Sequence, residues 1–344
     1  MYMVMFSDNI ITGEKIQDLA DVYLGEPNDF LYNPYIASQI HKHQLLDQLP
    51  EIYDNPPYMF CYTHRLEKLA NKISFFQNPF VLITHNSDDN VLNNKTTMQI
   101  LSNDRLITWF SQNVAIAHDK LVLLPIGMAN RQWPHGDIDF FDHFVIPIVK
   151  TKHIYFYFNV GTNVTKRMDC FQQLCQKIPV SPPMSPEDYK RHLADYQFCI
   201  CPEGNGYDTH RFWEALYLKV IPIVIQSNFV TQLRNTFPNI PMVVLESWED
   251  LHPDTLDYQT LYKEYGQRAE RLQQLSPEQA SLAEDFGCGI RRRVEDNHAY
   301  SEGRLCEAWS PEEYDNISMK SHAIKILSIF DIFDVQMCKD IKVV

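Results

Sequence analysis

Short apolar runs of strand length alternate with stretches of helical periodicity along most of this chain. In the first half, Tyr58–Thr63, Phe80–Thr84, Leu106–Phe110 and Leu121–Leu124 read as strands bounded by polar loops. Between the first two, Arg65–Phe76 places Leu66, Leu69, Ala70 and Ile73 at helical spacing. The second half repeats the alternation, with strands predicted at His153–Asn159, Tyr196–Pro202, Val220–Ile225 and Met242–Leu245. Helices are predicted after Lys166–Arg167 (Met168, Phe171, Leu174 and Cys175 inward), over Glu187–Tyr196 and over His210–Leu218. The first fifty residues are less regular: Glu14–Leu24 predicts an amphipathic helix and Asn28–Tyr35 a loop. Leu256–Leu275 predicts a long polar-faced helix, and Ser318–Phe333 an amphipathic one. Strands alternating with helices define an α/β protein with parallel sheets. The boundaries fall at 1–150 and 151–310, with 311–344 a closing helix expected to pack back on the first domain.

The densest unit runs from Tyr196 to Gln226: a strand, the tight loop Glu203-Gly204-Asn205-Gly206-Tyr207, a helix and a second strand. Asp208 and Thr209 offer N-cap chemistry to that helix. Glycines permit close approach of an anion to backbone N–H groups, and a helix N-terminus favours negative charge. Arg211, in the first turn, adds a permanently charged, bidentate donor. Glu214 shares its helix face, three residues on, and suits a pair of hydroxyls such as those of a ribose; the simpler reading is an Arg–Glu surface pair.

The ordered stretch Phe198-Cys199-Ile200-Cys201-Pro202-Glu203-Gly204-Asn205-Gly206, then Thr209-His210-Arg211-Phe212-Trp213-Glu214-Ala215-Leu216 and Ile221-Pro222-Ile223-Val224, resembles the donor-site motif of exostosin-like glycosyltransferases. That resemblance implies a GT-B fold, two Rossmann-like domains facing across a cleft, with the nucleotide sugar held by the C-terminal one. It implies Arg211 on the diphosphate and Glu214 on the ribose, with Gly204, Asn205, Gly206 and His210 around them. Lys219 departs from the pattern, standing where related sequences commonly carry Gly after the helix. The strand–loop–helix at the start of the second domain resembles the first such unit of a GT-B donor domain. Asn159, Thr162, Asn163 and Arg167 are therefore candidates to meet the phosphates or the transferred sugar. A basic helix start opposes the helix dipole unless an anion sits there.

In parallel sheets, ligands bind beyond the carboxyl ends of the strands. In the first domain those positions hold His64-Arg65, His85-Asn86-Ser87-Asp88-Asp89 and the stretch Pro125–Gly136. The second and third of these also resemble parts of exostosin-like N-terminal domains. An inverting transfer needs a base at the acceptor hydroxyl, opposite the leaving diphosphate. Asp88 and His85 are the first candidates, with Asp89 and His64 behind them. The plainer alternative is that His85 and Asn86 bond loop backbone while Asp88 caps a helix. Asp137-Ile138-Asp139 matches a manganese-binding triplet, but it lies apart from the motif in sequence, and no metal is expected.

Composition narrows the partners. The chain has 344 residues, is 45% hydrophobic and carries a net charge of −14. It is long enough for two domains, and its acidity argues against a nucleic-acid surface or an anionic membrane face. Eight cysteines form no CxxC pair and no zinc spacing, so buried reduced thiols are expected. Neither a signal peptide nor a membrane span is recognised, and a cytoplasmic protein of bacterial or viral type is expected. The function implied is a transferase of glycan biosynthesis, taking a nucleotide sugar (a UDP-sugar) and a carbohydrate acceptor and needing no further cofactor. The alternatives are a GT-B nucleotide-sugar epimerase and a non-catalytic carbohydrate- or nucleotide-binding protein.

Overall fold

Among the described residues, ten strands form two wholly parallel sheets. The computed structural model describes residues 10–147, 149–237 and 240–263 of the chain. The first sheet contains β1 (Val22–Gly25), β2 (His43–Leu45), β3 (Tyr58–Tyr62), β4 (Phe80–His85), β5 (Leu106–Ser111) and β6 (Leu121–Leu123), in the order β2-β1-β3-β4-β5-β6. The second contains β7 (Lys152–Tyr155), β8 (Tyr196–Ile200), β9 (Ile221–Ile225) and β10 (Val243–Leu245), in the order β10-β9-β8-β7. β3, β4 and β5 are buried at every position, as strands covered on both faces must be.

Helices α1 (Gly13–Asp18), α2 (Pro27–Leu31), α3 (Pro34–Ser38), α4 (Leu66–Lys72), α5 (Lys95–Leu101) and α6 (Phe140–His143) belong to the first half. The second half holds α7 (Val164–Leu174), α8 (Pro186–Leu193), α9 (His210–Tyr217) and α10 (Asn228–Thr236). In the first sheet β1 lies between β2 and β3, so successive connections leave it in opposite directions. This is the switch point beyond which such sheets open a crevice.

Several expectations require correction. The predicted helix Glu14–Leu24 is divided: α1 ends at Asp18, and Val22–Gly25 is a strand whose Tyr23 and Leu24 are fully buried beside β3. The ladder position overrides the local helical pattern. Asn28–Tyr35 holds α2 and the start of α3, each with a proline at its first turn, where the missing N–H is harmless. The run from His153 leaves the ladder at Tyr155, and Phe156 and Phe158 are buried in irregular chain beyond it. Met168 is exposed, whereas Leu174 is buried as expected, with Phe171 and Cys175 packed against the same core; Arg167 and Cys170 are buried as well. Of the predicted helix Leu256–Leu275, residues 258–263 are helical, and the rest lies outside the described residues. So do Ser318–Phe333 and the closing segment 311–344.

Candidate functional site

The loop between β8 and α9 touches both halves of the molecule. The Asn205 side chain donates to Asp88 (3.0 Å), and the Tyr207 N–H donates to the Asn90 amide oxygen (3.1 Å). Asp208 is buried: its N–H donates to Asn113 (2.7 Å), and its carboxylate accepts from the Ile126 N–H (2.7 Å), the Trp213 indole (2.8 Å) and the Thr209 N–H (2.9 Å). Burial outweighs these donors and pushes its pKa up to about 7. Asp208 therefore joins the halves, beyond the capping expected of it. Thr209 occupies the N-cap position without a side-chain cap bond.

The two loop glycines have different reasons. A Cβ on Gly206 would lie 2.6 Å from Asn113 Nδ2 and 2.9 Å from the Asp88 carbonyl, so a side chain is excluded by the opposite half of the protein. A Cβ on Gly204 would lie 3.3 Å from an Arg167 nitrogen, a tight but milder approach. Neither glycine has a positive φ.

A cleft of about 540 Å³ opens along this loop at the carboxyl ends of β7 and β8. Arg211, Glu214, Arg167, His210, Gly204, Asn205, Gly206, Asn159 and Thr162 line it, and Asp88, Ile126 and His135 close it from the first half. A smaller crevice of about 190 Å³ lies near the ends of β8, β9 and β10, and Lys166 lines that one. The larger cleft is where the cationic groups converge.

Arg211 sits against the rings of Tyr189 and Tyr155, 5.3 and 5.9 Å from their centroids, and its Nη1 is buried without a hydrogen-bond partner. Burial opposes its charge, but Tyr189, Cys199, Cys201 and Glu214 more than offset this and its pKa moves up. Arg167, in the first turn of α7, is 8% exposed and is held by the Glu203 carbonyl (3.0 Å) and the Asn159 carbonyl (2.8 Å). Burial, with the Arg211 charge adding to it, pulls its pKa down to about 10. Both guanidiniums thus remain cationic at neutral pH, on one wall. Glu214, one turn from Arg211, is buried and accepts from the Tyr189 hydroxyl (2.9 Å). Tyr189 is a residue that sequence reasoning missed, because nothing in α8 distinguishes it from a packing tyrosine.

Asn163 is not part of this wall. Its side chain caps α7 through the Lys166 N–H (3.2 Å) and donates to the Gly204 carbonyl (2.7 Å), which fixes the loop rather than facing the cleft. Asn159 accepts from the Gly161 N–H (2.9 Å) through its side chain.

His85 and Asp88 have separate environments. His85 is buried; its Nε2 donates to the Pro125 carbonyl (3.0 Å), its Nδ1 lies 3.2 Å from the Asn86 amide, and burial pulls its pKa down to about 4. With its one N–H committed to the Pro125 carbonyl, the buried ring is held in its neutral form. Asp88 is exposed and lines both the cleft and an adjoining cavity of about 270 Å³ in the first half. His210 lines both as well; its Nδ1 donates to the Gly127 carbonyl (2.8 Å), which directs protonation to that nitrogen. His64 pairs with Asp29 (3.0 Å), and the Asp89 N–H donates to the Ser87 hydroxyl (3.2 Å). Asp137 accepts from the Phe140 N–H (3.3 Å), and Asp139 precedes α6 as its N-cap.

No protein-family model matches the chain, and no curated protein matches it. Among the described residues, no helix is long and apolar enough to cross a membrane. The described cysteines, Cys61, Cys170, Cys175, Cys199 and Cys201, are free thiols.

Proposed function

We propose that the chain is a GT-B glycosyltransferase that moves a sugar from a nucleotide diphosphate, a UDP-sugar, to a carbohydrate hydroxyl with inversion. The observation that carries this reading is the pair of cationic guanidiniums on one wall of the cleft, with Arg211 Nη1 buried and unpartnered. Two like charges and an orphaned donor match the charge and acceptors of an anion. A diphosphate there bonds Arg211 and draws on Arg167, which stabilise the charge that develops on the leaving group. Glu214, already fixed by Tyr189, turns its remaining acceptor capacity to the ribose hydroxyls. The cleft volume falls within the roughly 300–1,000 Å³ typical of small-molecule sites.

The acceptor proton leaves toward the other half of the protein. Asp88, at the junction of cleft and cavity, takes it in this reading, and His210 is the other basic group lining that junction. The same donor site would serve an epimerase, so product analysis with and without acceptor separates the two. A thermal-shift screen of nucleotide sugars, followed by product analysis, tests the proposal. A donor at 100 times its Kd should add about 2.7 kcal/mol. Stabilisation by no nucleotide diphosphate, or sugar inversion without any acceptor, would overturn it.

A further inference from the structure

The cavity of about 270 Å³ in the first half lies at the switch point of the six-stranded sheet, lined by residues that follow β1, β4, β5 and β6. Its wall is a connected set of carboxamides. Asn86 donates to Gln17 (2.7 Å) and accepts from Asn130 (3.3 Å), while Gln112 accepts from the Asn86 N–H (3.1 Å). Asn86 is held at φ 57°, a left-handed conformation that asparagine tolerates better than most residues. A Cβ on Gly13 would fall 1.8 Å from Asn86 Oδ1, so the backbone of α1 closes directly onto this amide. Gln132 lines the same cavity and keeps its Oε1 buried without a hydrogen-bond partner. At the rim stand two exposed aromatic residues, Trp133 and Tyr32, with ring centroids 5.4 Å apart.

Amides that both donate and accept match the hydroxyl pairs of a sugar. Exposed aromatic faces match the C–H faces of a pyranose ring, which are apolar enough to stack on them. Charge decides the kind of sugar. None of the described residues lining the cavity is a lysine or arginine; its carboxylates are Asp88 and Asp29, the latter paired with Arg65 (2.9 Å). A uronate or a sulfated sugar would find no cationic partner there and would face Asp88.

We propose that this cavity binds a neutral pyranose, one edge on the carboxamide wall and one face against Trp133 and Tyr32. Because the cavity shares Asp88 and His210 with the donor cleft, the bound sugar is the acceptor residue; that assignment rests on the transferase reading, whereas the saccharide site itself does not.

The test uses the full chain, without nucleotide and again with UDP. Saturation-transfer NMR and titration against methyl glucoside, galactoside, xyloside and N-acetylglucosaminide, with methyl glucuronide as the anionic comparator, should show at least one neutral glycoside binding. The glucuronide should bind at least tenfold more weakly. Trp133→Ala and Tyr32→Ala, both at exposed positions, should each weaken the neutral glycoside at least tenfold while leaving UDP affinity unchanged. Binding of no glycoside under either condition, preference for the glucuronide, or full binding by both variants would overturn the inference. Glycoside binding by a chain that binds no UDP would keep the saccharide site and remove the transferase reading instead.

Discussion

Arg211→Met should separate ligand binding from stability. In the free protein Nη1 is buried and unpartnered, a state that costs about 1–3 kcal/mol in desolvation. Its stacking on Tyr189 and Tyr155 returns roughly 0.5–2 kcal/mol. Methionine keeps apolar contact with both rings and removes the orphan, while Glu214 retains its bond from Tyr189. These two terms nearly cancel, but the buried Glu214 loses its neighbouring cation, so stability should fall by about 1–3 kcal/mol, a loss that the comparison of two ligands corrects for. With UDP bound, the variant lacks a hydrogen bond to a charged group worth about 1.5–3 kcal/mol. That corresponds to roughly a 10- to 150-fold rise in Kd. Calorimetric titration with UDP and with uridine is the measurement, because uridine has no phosphate to lose. UDP should weaken by that factor and uridine should hold. Equal weakening of both ligands, or no change for UDP, would refute the assignment of Arg211 to the diphosphate.

Gly206→Ala forces a methyl group against Asn113 and the Asp88 backbone, and should lower unfolding stability by about 1–3 kcal/mol in a denaturant titration. Lys219 stands at φ 58° directly after α9, so Lys219→Gly should raise stability; the left-handed residue is strained by about 1–2 kcal/mol and glycine's added chain entropy returns only about 0.5–1. His85 supplies a pH signature. Its folded pKa is depressed from 6.5 to about 4, so its contribution is intact above 6.5 and is lost as pH falls toward 4. The stability gap between wild type and His85→Gln, measured by denaturant titration, should therefore narrow by about 3 kcal/mol between pH 7 and 4.

What the sequence disclosed was local. The strand, loop, helix and strand from Tyr196 to Ile225 lie where their pattern places them, because each element is fixed by neighbours within a few residues. Arg211 and Glu214 reach one cleft because three-residue spacing on a helix leaves little choice. The environment of His85 was not legible, since its ring bonds the carbonyl of Pro125, 40 positions away. Gly206 suggested an anion approach, but its constraint is Asn113, also distant in sequence. β2 is three residues long and carries no run for periodicity to detect. Lys219 stands in a glycine's place, and its left-handed backbone has the conformation that a glycine would ordinarily provide there.

The segment from Asn205 to His210 holds Asp88, Asn90, Asn113, Ile126 and Gly127 through five hydrogen bonds of 2.7–3.1 Å. Prising the two sheets apart would strip all five and expose Asp208 to solvent. A hinge swinging the two sheets wide would therefore work against all five at once, at about 0.5–1.5 kcal/mol for each bond broken.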